Sequence, residues 1–184
     1  MNKIAIVCEG KTDKAFLEEI IKHLQKDPEK CSFYVCGGKS NVLNSQHAKY
    51  KKLEKDLETI TNVLFIVDAD CEKSDAKNNG FNNTQNSLEE LIKSLNLPNV
   101  ETKTYIMCDP HTKTGTLESL ILSTIEAPRR VCIENFLACS HFVSKDNHKA
   151  VINEIYRIAY PNAPYDFSHT HFDELKSKLK ALFE

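Results

Sequence analysis

Apolar positions follow two rhythms along this chain. Ile4–Cys8 is a compact, β-branched run, which predicts a strand buried on both faces. After Thr12 the rhythm lengthens. Phe16, Leu17, Ile20, Ile21 and Leu24 form one stripe of a helix, and Pro28 stands just beyond its end. Ser32–Cys36 reads as a second strand, stopped by Gly37-Gly38. Residues 42–60 are mostly polar, and Val42, Leu43, Leu53, Leu57 and Ile60 suit a surface helix. Val63–Val67 is the clearest buried strand. Residues 71–86 read as a polar loop, followed by a helix over about 86–95 and a strand at about 103–108. This alternation predicts an α/β fold with parallel strands. Past residue 110 the character changes: a polar loop at His111–Thr116, a helix at Leu117–Ile125, and a helical pattern from about 129, interrupted by Pro161 and Pro164. We expect an α/β domain over 1–125 and a helical extension over 126–184 packed on it.

Composition narrows the class without naming a function. The 24 basic and 26 acidic residues nearly cancel, at a formal charge of −2, which excludes a general polycationic coat for nucleic acid but not a local site. No apolar run nears the roughly 20 residues of a membrane span. The N-terminal MNKIAIVC is too short for a signal peptide, so a cytoplasmic protein with no membrane partner is expected. Seven cysteines, an odd number without a CxxC pair, read as reduced and partly buried thiols rather than a disulfide frame or a zinc site.

The chemistry-bearing residues stand where strands end. The first strand runs into Glu9-Gly10-Lys11-Thr12-Asp13, and the third into Asp68-Ala69-Asp70-Cys71-Glu72. Ligands of open α/β sheets collect beyond the C-terminal ends of the strands. Glu9, Asp68 and Asp70 are thus expected on one rim, where close carboxylates repel unless a cation or proton intervenes. Oxygen-only donors suit Mg²⁺ or Mn²⁺ rather than zinc. Asp68 and Asp70, two apart on extended chain, would point the same way and share a metal. Singly, each acid has an ordinary explanation as a turn former or helix cap, and Asp13 suits a helix N-terminus by charge alone. Together, directly after buried strands, they read as a site.

A strand ending in Glu-Gly, followed through a helix, a strand and a helix by a strand ending in Asp-x-Asp, resembles the Toprim domain of topoisomerases, primases and small nucleases. The resemblance covers about residues 3–125. The segment IVCEGKTDKAFLEEII resembles the EGxxD form of nuclease-like members, such as the overcoming-lysogenization-defect nucleases and ribosomal-RNA maturases. It implies a Rossmann-like, mostly parallel sheet flanked by helices. It also implies Glu9 as general acid/base or metal ligand, and Asp68 and Asp70 as holders of Mg²⁺. Asp13 would complete a second metal position. Gly115-Thr116-Leu117-Glu118 is similar to a later motif, making Glu118 a further metal candidate and Gly115 its turn. Glu72 stands in the third acidic place of DxDxE, without the usual following Gly. The implied function is a Mg²⁺-dependent nuclease or related phosphoryl transfer on DNA or RNA, in repair or defence. The competing readings are a non-catalytic module binding Mg²⁺ and a phosphorylated ligand, and an accessory subunit. A topoisomerase would need gate domains, a primase its zinc-binding region, and any ATP dependence an ATPase in trans.

Among the cations, Lys11 and Lys14 flank the acidic rim, and Lys39 follows the glycine turn, where it could meet a phosphate. Gly37-Gly38-Lys39-Ser40 is not a P-loop, because the first glycine of that motif would fall on Phe33. The HAKYKKLEK segment (Lys49, Lys51, Lys52, Lys55) reads as either a backbone track or a salt-bridged surface helix. His169 and His171 are expected in a loop or cap.

Overall fold

Four parallel strands in the order β2-β1-β3-β4 form the centre of the molecule. They are β1 (Lys3–Cys8), β2 (Cys31–Val35), β3 (Ile60–Asp68) and β4 (Glu101–Met107). The computed structural model describes residues 3–71, 77–95, 97–140, 150–155 and 165–184. Seven residues of β3, from Asn62 to Asp68, pair in unbroken register with Glu101–Met107 of β4. β1 lies against β2 on one side and β3 on the other.

Helices cover both faces, and the side-chain period of two sorts the strand residues between them. Ile4, Ile6, Cys8, Leu64, Ile66 and Met107 join one core. It is closed by α1 (Lys11–His23), α5 (Leu117–Ser123) and the C-terminal helix Asp173–Lys180, through Phe16, Ile20, Leu120, Leu175 and Leu179. Ala5, Val7, Val63, Phe65 and Val67 join the other core, under α3 (Ala48–Asp56) and α4 (Phe81–Leu95). The central strands are apolar at nearly every position because both faces are buried, at about 1.5–3 kcal/mol for each large side chain. Phe16 meets Tyr165, Phe167 and Phe172 at centroid distances of 5.0, 5.6 and 5.9 Å, which ties the C-terminal segment to α1. The C-terminal residues therefore share the core of the sheet.

Three boundaries differ from the sequence reading by more than two residues. Residues 42–60 are not one helix: a short α2 (Lys39–Val42) and α3 are separated by a turn, and a 3₁₀ turn at Leu57–Thr59 leads into β3. β3 starts at Ile60 rather than Val63. α4 starts at Phe81 rather than about 86. Its polar first turn is held from outside, since Gly80 N–H donates to Ala69 O at 2.8 Å and Thr84 is fully buried. Tertiary contacts there override weak local helix preference. The segment Ala127–Cys139 is α6, and residues 150–155 are helical. Pro161 and Pro164 lie outside the described residues.

The order of strands sets the position of the site. From β1 the chain goes to β2 on one side, then returns across β1 to β3 on the other. The crossovers on either side of this reversal lie on opposite faces and leave a crevice at the C-terminal ends of β1 and β3. Glu9 and Asp68 stand there.

Candidate active site

The ends of β1 and β3 are joined by one side chain: Asp68 N–H donates to Glu9 Oε1 at 2.7 Å. The backbone of Glu9 is held as tightly. Its carbonyl accepts from Gly37 N–H at 2.7 Å and Gly38 N–H at 3.1 Å. Gly37 (φ +86°) and Gly38 (φ +131°) hold conformations that favour glycine, so the paired glycines after β2 form a clamp on the exit of β1.

Asp68 connects further. Its Oδ1 accepts from Leu117 N–H, at the first turn of α5, at 2.9 Å. Asp13 Oδ2 accepts from Gly10 N–H at 2.7 Å, closing the first turn of α1. Glu118 is 5% exposed and its Oε2 accepts from the Thr116 hydroxyl at 2.8 Å. Each of these carboxylates therefore has an oxygen anchored by the fold. Glu9, Asp13, Asp68 and Glu118 line one pocket of about 260 Å³, together with Gly10, Thr12, Gly37 and Gly38. No Lys or Arg lines it among the described residues.

Asp70 departs from the expected arrangement. Extended chain stops at Asp68, and Asp70 has φ +59° because it pairs with Gly115. Asp70 N–H donates to Gly115 O at 2.7 Å, and Gly115 N–H returns a bond to Asp70 O at 3.1 Å. The two-residue period no longer applies, and among the described residues Asp68 and Asp70 line different pockets. Asp70 lines a second one of about 510 Å³ with Lys39, Ser40, Leu43, Asn44, Asn78 and Asn79. Glu9 lines both. Gly115 has φ +97°, and a Cβ there would stand 2.1 Å from Ser119 Oγ, so glycine is required for this bridge to approach α5.

Lys39 is 8% exposed and points inward. Its ammonium donates to Thr84 Oγ1 (2.8 Å), Ala69 O (3.0 Å), Asn79 Oδ1 (3.1 Å) and Asp70 Oδ2 (3.4 Å). It joins α2 to the β3 exit and α4, with its charge directed at protein oxygens. Sequence reasoning missed Thr84, although a signal exists: it is the polar position on the buried stripe Thr84, Leu88, Leu91, Leu95. Lys11 opens α1 and is exposed, lining a third pocket beside the carboxylates. Glu72 lies outside the described residues. His169 Nδ1 accepts from His171 N–H at 3.1 Å as a cap, and His111 packs on His171 at 5.0 Å rather than lining either pocket that holds Glu9.

Burial pushes the Glu9 carboxyl up from its usual 4.5 to about 7. The Asp68 N–H bond and the Lys39 charge oppose the shift, while the Asp70 and Asp13 charges add to it. A carboxyl so placed exchanges protons near neutral pH. The thiols are the reverse: burial raises Cys36 to about 11 and Cys31 to about 12, leaving them as inert apolar groups.

A family model for a protein of unknown function, DUF3226, matches residues 3–183. The chain belongs to the DUF3226 family. The match runs through the sheet and on through the C-terminal helix, so the family's unit includes both. No curated protein and no solved structure matches the chain. In this family member the carboxylate pocket offers only oxygen donors, the kind that hard divalent cations take. No group of three or more His, Cys, Asp or Glu among the described residues stands in metal-binding geometry. The donor set thus fits Mg²⁺ or Mn²⁺ in kind, and among the described residues the carboxylates are not drawn in around a single point. No helix among the described residues is long and apolar enough to cross a membrane.

Proposed function

We propose that this protein performs metal-dependent phosphodiester chemistry on nucleic acid, as a Toprim-type nuclease or a related phosphoryl transferase. One observation carries the reading. The Asp68 N–H bond to Glu9 Oε1 joins the two strand ends at the topological switch point, with Asp13 and Glu118 in the same pocket. Asp13, Asp68 and Glu118 would hold Mg²⁺ or Mn²⁺, leaving Glu9 for proton transfer. When bound, the metal supplies charge neutralisation for the phosphate and a more acidic water.

The protein's own groups account for the remainder. Glu9, with a carboxyl near 7, takes the proton of the attacking water. The water oxygen bonds to phosphorus, the ester P–O bond breaks, and the leaving oxygen takes up a proton from solvent. Asp68, fixed by Leu117 N–H, keeps β3 and α5 in register with Glu9. Asp70 acts through Glu9 and Lys39 rather than beside Asp68.

The test uses labelled single- and double-stranded DNA and RNA with Mg²⁺ or Mn²⁺. Wild type is expected to cleave at least one of them, and Asp68→Ala and Glu9→Ala to lose that activity. Equal cleavage by all three proteins, or none by any while metal still binds, sinks the nuclease reading.

A second reading, an accessory subunit of a nucleic-acid-processing complex with an ATPase in trans, draws on α6. That helix leaves Val131 and Phe136 49% and 47% exposed. Co-purification of a partner that is lost in Phe136→Asp would favour it.

A further inference from the structure

Beside the carboxylate pocket lies a third concavity of about 710 Å³ with the opposite charge. Lys11, Lys14 and Lys49 line it, and Ala15 and Val35 supply apolar surface. The two pockets adjoin, with Gly10 and Gly37 lining both. At Gly10 this is not a demand of the fold. Its backbone is extended (φ −131°, ψ 174°), and a Cβ would meet nothing closer than Asp13 Oδ2 at 3.6 Å. Among the described residues the one carboxylate lining this concavity is Glu18, which is paired with Lys14 at 3.6 Å. Lys11 opens α1 and Lys49 lies in the first turn of α3, so the partial positive charge of two helix starts adds to that of the lysines.

We propose that this lysine pocket seats the nucleotide next to the reacting phosphate, so that the ligand is a single nucleic-acid strand crossing the Gly10–Gly37 threshold. The flanking phosphate lies among the three ammonium groups, and the sugar and base cover Ala15 and Val35. This rests on the nucleic-acid reading above and adds to it that a strand, rather than a mononucleotide or small phosphoester, is the ligand. It also separates Lys49 from its neighbours in the basic segment. Lys51 and Lys55 are exposed on α3 outside the pocket, and Lys52 lies over the Tyr34 ring at 6.0 Å.

Fluorescence anisotropy with labelled 12-nucleotide single strands, one of DNA and one of RNA, tests the proposal in excess chelator. Wild type should bind at least one of them in the range of about 10⁻⁴–10⁻⁶ M expected for sequence-independent contacts. The triple variant Lys11→Glu, Lys14→Glu, Lys49→Glu should lose at least tenfold. Its slope of log affinity against log salt should fall by about 0.7 for each phosphate contact removed. Lys51→Glu and Lys55→Glu, with the same charge change per site, should bind as wild type. Glutamate suits the first helix turn at positions 11 and 49, Lys14→Glu gives up the pair with Glu18, and the variants' melting curves report directly whether they fold. No binding by wild type, wild-type affinity and slope in the triple variant, or an equal loss in Lys51→Glu overturns the proposal. Because no metal is present, a failure of cleavage, which would sink the nuclease reading, leaves this result standing.

Discussion

Replacing Lys39 by methionine keeps an unbranched side chain as far as Cε and removes the ammonium group with its charge. The wild-type ammonium lies within 3.4 Å of four protein oxygens, the nearest being Thr84 Oγ1 at 2.8 Å and Ala69 O at 3.0 Å. Losing two buried, charge-assisted bonds would cost about 1.5–3 kcal/mol each. Part of that is returned. Ala69 O still accepts from Gly80 N–H at 2.8 Å, the Thr84 hydroxyl still donates to Asn78 O at 2.9 Å, and the ammonium no longer has to be desolvated. Asp70, 34% exposed, can turn to water. The balance is a destabilisation of about 2 kcal/mol. With a urea dependence near 2 kcal/mol per molar, the unfolding midpoint should fall by about 1 M. The assay is equilibrium urea unfolding of both proteins, with far-UV circular dichroism and tyrosine fluorescence required to coincide. A midpoint shift under about 0.2 M refutes the reasoning. Lys39 would then be loosely held and available to a substrate phosphate, as the turn Gly37-Gly38-Lys39 suggests in sequence.

In the metal-free protein, Glu9→Gln should raise stability at pH 8 by about 3 kcal/mol and at pH 5 by less than about 1 kcal/mol. The sign follows from a folded-state carboxyl at about 7 against the usual 4.5: between those values the unfolded chain loses its proton first, so wild-type stability falls as pH rises. Parallel stability profiles for the two proteins over pH 4.5–8 would refute this. His171 is held below its usual 6.5 by burial and by the His169 and His111 charges, with Arg130 adding and Asp109 opposing. Its neutral form therefore stabilises the fold above that pH, and the contribution is lost as pH falls below it; His171→Gln should flatten this acid limb in thermal melts. Gly115→Ala should cost about 3 kcal/mol, because its Cβ would collide with Ser119 at a positive φ, and denaturant unfolding showing under 1 kcal/mol would contradict it. Phe16→Ala should cost about 3–5 kcal/mol and speed hydrogen exchange over 165–182, since its ring anchors Tyr165, Phe167 and Phe172.

Much of the fold was legible because its signals are local and periodic. Strands such as Val63–Val67, apolar at every position, announce burial on both faces, and the stripe from Phe16 to Leu24 announces a helix with one buried side. Glu9 and Asp68 were legible for a related reason: each follows directly on a run that must be buried to its last residue. The start of α4 was not, because Asn82, Asn83 and Gln85 favour a loop until Thr84 is buried beneath Lys39. The Asp-x-Asp spacing misled for a physical reason as well. It assumes extended chain, and the bridge to Gly115, 45 residues further on, bends Asp70 away.

The sequence by itself therefore determined the α/β class, the buried strands and the rim on which the acids stand, since short-range periodicity encodes burial. Only the tertiary structure decided how the charges are divided. It sets Glu9, Asp13, Asp68 and Glu118 in one pocket, turns Lys39 and Asp70 toward each other in a second, and draws Lys49 to Lys11 and Lys14 in a third. Residues far apart in the chain meet there through the return of the chain across β1, and no local pattern records which of them will share a cavity.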